Sequence, residues 1–281
     1  MYCAKNIGKN TFQPFTNDMA ERSSKMRLLE NALRAAITRD ELKLAYLPKV
    51  DIASNQIVGV EALIRWDHPT RGELLPHEFL ELAEETGLVH DIGLWVLDSA
   101  LQQLRQWQDS GITNIKIAIN LSAGQFRASH LTERIRERIV RFGVDARNLE
   151  VEVTETGLFR DPEGVGRTLS GLRELGITVA IDDFGTGYSS LSHLKRFPID
   201  TLKIDKSFIA DLLTDADDRA IVTAVIALAK ALEINVIAEG VETEPQRAML
   251  MKMGCHAYQG FLFAKPLSPA DITALLRKKI H

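Results

Sequence analysis

The stretch from Leu42 to Leu63 reads LKLAYLPKVDIASNQIVGVEAL and holds two strand-like apolar runs, Leu42 to Leu47 and Gln56 to Leu63, with only Pro48 to Asn55 between them. Parallel neighbours in a sheet need a crossover of about a dozen or more residues, so this link forces the two strands to be antiparallel. Further strand-like runs lie at Asn114 to Asn120, Leu149 to Thr154, Ile177 to Asp182, Thr201 to Asp205, Ile234 to Glu239 and Cys255 to Gln259. Helical patterns at His90 to Ser110, Arg127 to Phe142, Glu163 to Leu175, Asp217 to Leu232 and Glu244 to Met253 alternate with them, each stopped by glycine or another turn signal. Alternation of this kind makes a mostly parallel sheet. Eight strands with crossover helices predict an α/β fold, a (β/α)8 TIM-like barrel with an antiparallel first strand.

Parity along the strands supports closure. Ile115, Ile117 and Ile119 share one face while Ala118 and Asn120 share the other, and Val151 and Val153 alternate with Glu152 and Thr154 in the same way. Aliphatic side chains would meet the helices, and small or polar ones would face inward. Lys203 and Asp205 fall on one inward face, where an ion pair that merely fills the core is the plain alternative to a functional role.

Acids and amides stand at the C-terminal ends of the runs, namely Glu61, Asn120, Glu152, Asp182 with Asp183, Asp205, Glu239 and Gln259. Any one of them could cap a turn. Together they crowd negative charge onto the edge where barrel active sites lie, and that repulsion costs free energy unless cations neutralise it. Neither a His-Glu-x-x-His pattern nor paired cysteines occur, and His256 has a structural parity. Oxygen donors suit Mg2+ or Mn2+, and the adjacent Asp182 and Asp183 could serve two ions with one carboxylate bridging. The segment Gly185 to Ser190, GTGYSS, abuts them and is a weak phosphate-cradle signal.

The chain has 281 residues, 45% of them hydrophobic and 26% charged, with a formal net charge of −4. That balance argues against binding duplex nucleic acid through a basic surface, so an anionic ligand must be held locally. No apolar run approaches the ~18 residues of a membrane span, no signal peptide is evident, and Cys3 and Cys255 suggest no disulfide framework. A cytoplasmic location is the expectation.

Seven successive motifs carry a specific resemblance: Glu61-Ala62-Leu63-Ile64-Arg65-Trp66, Asn120-Leu121-Ser122, Glu152-Val153-Thr154-Glu155, Asp182-Asp183-Phe184-Gly185-Thr186-Gly187, Leu202-Lys203-Ile204-Asp205, Ala238-Glu239-Gly240-Val241-Glu242 and Gln259-Gly260. From about Met26 to its end the chain resembles EAL-domain cyclic di-GMP phosphodiesterases. The resemblance implies a (β/α)8-type barrel, two Mg2+ or Mn2+ ions per site, a homodimer, and hydrolysis of cyclic di-GMP to linear pGpG in bacterial signalling. It implies that Glu61, Asn120, Glu152 and Asp182 hold a first metal, while Asp182, Asp183 and Glu239 bind or approach a second. It further assigns Lys203, with Asp205 beside it, to orienting the attacking water, and Glu239 to a candidate general base. Arg65 would meet a substrate phosphate, Glu155 would anchor the Asp183 to Ser190 loop, and Glu242 and Gln259 would complete the inner shell. One departure is Leu47, where the family commonly has a nucleotide-contacting Gln; losing that hydrogen bond would weaken recognition by about 1 kcal/mol.

Residues 1 to 19 resemble the end of a GGDEF domain, which implies a remnant of a GGDEF–EAL tandem protein, residues 20–40 as a connecting helix and 41–281 as the barrel. Any membrane tether of such a parent would lie outside this chain. Two other readings stay open: a receptor that binds cyclic di-GMP without cleaving it, and, from chemistry without the motifs, an enolase-like barrel whose lysine removes a proton.

Overall fold

The strands are β1 (Leu42–Asp51), β2 (Ile57–His68), β3 (Gly72–Leu74), β4 (Lys116–Leu121), β5 (Leu149–Thr154), β6 (Thr178–Phe184), β7 (Thr201–Ile204), β8 (Asn235–Ala238) and β9 (Ala257–Tyr258). They belong to a computed structural model that describes residues 17–128, 130–158, 162–187 and 194–278. Their order, β1-β9-β8-β7-β6-β5-β4-β2-β3, is closed by pairing of β1 with β2, so eight strands form a barrel and the short β3 extends β2 as an antiparallel flap. From β2 through β9 the barrel strands are parallel, and β1 runs against both neighbours. The barrel with one reversed strand is therefore as the spacing predicts.

The strand β1 differs from expectation in length. It does not stop at Leu47 but runs through Pro48 to Asp51, and the turn that follows is closed by the Asp51 carboxylate accepting from the Ser54 N–H at 2.7 Å. Proline is tolerated there because of parity. Tyr46 exchanges backbone hydrogen bonds with Leu267, on the side away from β2, and Pro48 points the same way, before the β1–β9 pairing begins at Val50.

Outward-facing aliphatics fill the layer between barrel and helices. Ile117, Ile119, Leu149, Val151, Val153, Val179, Ile181, Leu202, Ile204 and Val236 are all buried there. Each such side chain stabilises the fold by about 1.5–3 kcal/mol relative to exposure. The helix Asn17–Ala36 adds Leu29, Leu33 and Ala36 to this layer, at a spacing that keeps them on one face, and packs against the helix Leu80–Thr86. The predicted connecting helix thus lies over the barrel. Apart from Asn17 to Met19, which begin that helix, the GGDEF-like residues 1–19 lie outside the described residues, as do Tyr188, Ser189 and Ser190 of the glycine-rich segment.

Candidate active site

Parity sends Glu61, Glu152, Asp182 and Lys203 inward from β2, β5, β6 and β7, and Glu239 and Gln259 follow directly after β8 and β9. Asp182 and its neighbour Asp183 would ordinarily point to opposite faces. The register with β7 shifts between Ile181 and Phe184, and Asp183 takes a left-handed φ of 54°. This bulge breaks the alternation and turns both carboxylates toward the mouth. Two groups of ligand oxygens result, Glu61, Glu152 and Asp182 in one and Asp182, Asp183 and Glu239 in the other, each with its atoms within 4.8 Å of one another. They share Asp182.

The Lys203 ammonium lies among four carboxylates. Its Nζ is 2.5 Å from Glu152, 2.7 Å from Glu239, 2.9 Å from Asp182 and 3.3 Å from Glu61, and the side chain is fully buried. The core-filling ion pair with Asp205 is not formed. Asp205 instead caps the helix Lys206–Ala210, accepting from the Ser207 N–H at 2.9 Å, because a backbone donor two residues away is already in reach. Burial alone would lower the Lys203 pKa, but the surrounding carboxylates raise it well above the usual lysine value. With the carboxylates free of cations the lysine therefore holds its proton, where an enolase-like reaction would need a depressed pKa.

Around this ammonium the acids differ. Burial raises the Glu61 pKa, yet the Lys203 and Lys49 ammoniums outweigh it and bring it down to about 2. Glu152 goes the other way, pushed up to about 7 by burial and by the charge of Glu61. Asp183 is raised to about 6 by burial, then by Asp182 and Asp205, and Glu239 is raised well above the carboxylate range, first by burial. The five carboxylates of the two groups, set against Lys203, carry a formal excess of four negative charges. Two divalent cations would neutralise that excess, and a set of oxygen donors suits Mg2+ or Mn2+.

Amides complete the cluster. Asn120 Nδ2 donates to Glu61 Oε1 at 2.7 Å, and Gln259 Nε2 donates to Glu61 Oε2 at 2.7 Å and Glu239 Oε1 at 2.8 Å. These bonds fix the Gln259 amide and leave its buried Oε1 with no hydrogen-bond partner among the described residues. Glu155, also buried, accepts from the Gly185 N–H at 3.0 Å, and a Cβ at Gly187 would stand 2.7 Å from its Oε1, so this carboxylate lies directly under the turn after β6. Arg65 is half-buried, donating to its neighbour's carbonyl, Ile64 O, with Glu73 at 4.0 Å. Glu242 is exposed and stands apart from the carboxylate cluster, unlike the inner-shell position expected for it. Leu47 pairs with Glu61 in the β1–β2 register, which puts its side chain on the same inward face.

Two charged residues were not singled out from the sequence. Lys49 and Glu150 are buried and paired, and Lys49 Nζ also contacts Glu152 Oε1 at 2.5 Å. Glu150 shares the parity of Glu152, which was the available signal. Lys49 was hidden by reading Pro48 as the end of its strand.

The EAL domain family matches residues 30–266. This chain is a member of that family. Among its relatives is a bifunctional diguanylate cyclase/cyclic di-GMP phosphodiesterase, MucR of Pseudomonas aeruginosa, 44% identical over 274 residues that make up 98% of this chain and 40% of the relative. The cyclic di-GMP phosphodiesterase NbdA of the same organism is 39% identical over 277 residues, 99% of this chain and 35% of that protein. The chain thus spans about two fifths of the length of these curated relatives. A solved structure of the PaMucR phosphodiesterase in complex with c-di-GMP superposes with a TM-score of 0.85 at 45% identity, covering 87% of this chain and 99% of that one. Among the described residues of this EAL domain no helix is long and apolar enough to cross a membrane.

Proposed function

We propose that this EAL domain hydrolyses cyclic di-GMP to linear pGpG with two Mg2+ or Mn2+ ions. The observation that supports it best is the sharing of Asp182 by two oxygen groups whose formal charge excess matches two divalent cations. Bound there, such a pair would make water acidic enough to act as nucleophile near neutral pH and offset charge on the phosphoryl oxygens. Glu61, Asn120, Glu152 and Asp182 are the proposed ligands of one ion, and Asp182, Asp183 and Glu239 those of the other. Lys203 orients the water and adds positive charge beside the reacting phosphate. Asp205 caps the helix that follows Lys203 and also lies against Asp183, so it helps to place that ligand. Glu239 is the proposed acceptor of the proton that the water loses, since bound cations would lower the pKa that burial raises in their absence. Arg65 is the proposed contact to a substrate phosphate, and the Gln259 Oε1, which has no hydrogen-bond partner among the described residues, offers an acceptor to water or substrate. The water oxygen bonds to phosphorus, the bond from phosphorus to one O3′ breaks, and that O3′ takes up a proton, leaving the 5′-phosphate of pGpG.

A receptor that binds without cleaving has less support, because the carboxylates, Lys203 and both amides are all in place. Chromatography of cyclic di-GMP after incubation with the protein should show pGpG only when Mg2+ or Mn2+ is supplied. Full turnover after exhaustive chelation would refute the metal assignment, and binding without product would favour the receptor.

Glu155 gives a second check. Its carboxylate holds the Gly185 N–H beneath the turn that carries Asp183, so Glu155→Ala frees that turn and should lower turnover about 10–100-fold while the circular dichroism spectrum is retained. Unchanged turnover would mean that the turn holds its shape without it.

A further inference from the structure

Below the carboxylate cluster the barrel interior contains a second ammonium, Lys49, joined to the cluster through Glu152. Lys49 extends from β1 across the interior to β5, where its ammonium contacts both Glu150 and Glu152. All three side chains are more than nine-tenths buried. Glu150 is itself held, since its Oε2 accepts from the Thr178 hydroxyl at 3.4 Å. At the floor, toward the N-terminal ends of the parallel strands, a cavity of about 270 Å3 is bordered by Lys49, Glu150, Lys116, Thr201 and Asn235.

The two ammoniums divide the Glu152 carboxylate between them. Oε1 accepts from Lys49 and Oε2 from Lys203, each at 2.5 Å. Lys203 is shared with Glu61, Asp182 and Glu239, so Oε2 is the oxygen on the side of the oxygen groups. Cations bound among those groups would replace Lys203 as the counter-charge of Oε2. They would leave Lys49 where it is, because Glu150 belongs to neither group. Glu150 also balances the charge of Lys49, so this pair grips Glu152 without adding net positive charge near the cations.

We propose that Lys49, braced by Glu150, is a positioning residue that locks the Glu152 carboxylate so that it offers one oxygen, Oε2, to a divalent cation. The inference rests on the proposed phosphodiesterase reading and deepens it. Without Lys49, Oε1 loses its buried donor and the carboxylate is free to rotate, so the ligand must be ordered at the moment of binding. Residues that orient metal ligands from behind typically contribute 10–100-fold to metal affinity.

The test is Mn2+ affinity, read from the electron paramagnetic resonance signal of free Mn2+ on the full chain, with turnover measured alongside. In the double variant Lys49→Met with Glu150→Gln, both buried charges vanish together, so the interior stays balanced while Glu152 loses its grip. We expect the Mn2+ dissociation constant to rise about 10–100-fold, and the loss of turnover at low Mn2+ to be largely reversed by excess Mn2+. Lys49→Gln, whose amide ends one bond short of the ammonium and carries no charge, provides a second variant should the first not fold, with a rise of about tenfold or more expected. Glu150→Gln alone leaves Lys49 on Glu152 but unbalances its charge, and should raise the dissociation constant by clearly less than the double variant does. Wild-type affinity in the folded variants that lack the Lys49 ammonium overturns the inference and leaves the phosphodiesterase reading standing. So does a loss in Glu150→Gln as large as that in the double variant, since charge at the floor would then set affinity. Wild-type protein that binds no Mn2+ overturns the metal-dependent reading and this inference with it.

Discussion

Glu61→Ala should reduce cyclic di-GMP hydrolysis by a factor on the order of 1,000 or more at any Mg2+ or Mn2+ concentration, because it removes a ligand of the first ion and the partner of three donors at once. Those donors are Asn120 Nδ2, Gln259 Nε2 and Lys203 Nζ. Two effects on stability oppose one another in the metal-free protein. Unpaired amides cost about 1–3 kcal/mol each where they stay dry. Against this, the charge of Glu61 helps push Glu152 up to about 7, and that repulsion disappears with it. The net shift in melting temperature should therefore be small compared with the loss of rate. Thermal unfolding and product chromatography on the same preparation check both. A variant that is well folded and keeps a tenth of wild-type turnover would remove Glu61 from the metal site.

Lys203→Met should cost both turnover and stability. The substitution keeps most of the buried chain but withdraws the ammonium from Glu61, Glu152, Asp182 and Glu239. Leaving buried charges without their partner typically destabilises by about 3–5 kcal/mol, although protonation of Glu239 and Glu152, whose pKa values are already raised, absorbs part of it. Divalent cations can supply the missing counter-charge, so Mn2+ should raise the melting temperature of this variant by more than it raises that of the wild type. Turnover with saturating Mn2+ should still fall about 100-fold or more, since the water is no longer oriented, while nucleotide affinity changes far less. Single-turnover and binding measurements separate the two. Should the variant lose nucleotide binding yet keep its rate constant for bound substrate, Lys203 would be a recognition residue and the proposed mechanism would be wrong.

How much of this was legible beforehand depends on the range of the physics involved. A strand repeats every two residues, so inward and outward faces can be read from a few neighbours. Glu152 and Lys203 are found on the inward face that such parity predicts. The short link after Leu47 was enough to reverse the first strand, even though β1 then continued through Pro48. That error had a local origin and a distant cure: a proline in a strand is acceptable only where its missing N–H faces no partner, and Leu267 and β9 decide that.

The sequence by itself determined the barrel, its reversed strand and the row of acids at the strand ends, because period, link length and motif order are properties of the chain taken a few residues at a time. Only the tertiary structure decided who pairs with whom. Asp205 is two residues from Lys203 but spends its carboxylate on a helix cap, while Lys203 finds four acids contributed from different parts of the barrel. Lys49 reaches Glu150 and Glu152 across about a hundred residues of chain, a contact that exists only because closing the barrel brings β1 and β5 around one narrow interior. Buried charges settle on the nearest partners that exclude water, and in a closed barrel those are set by the order of strands around the ring rather than by distance along the sequence.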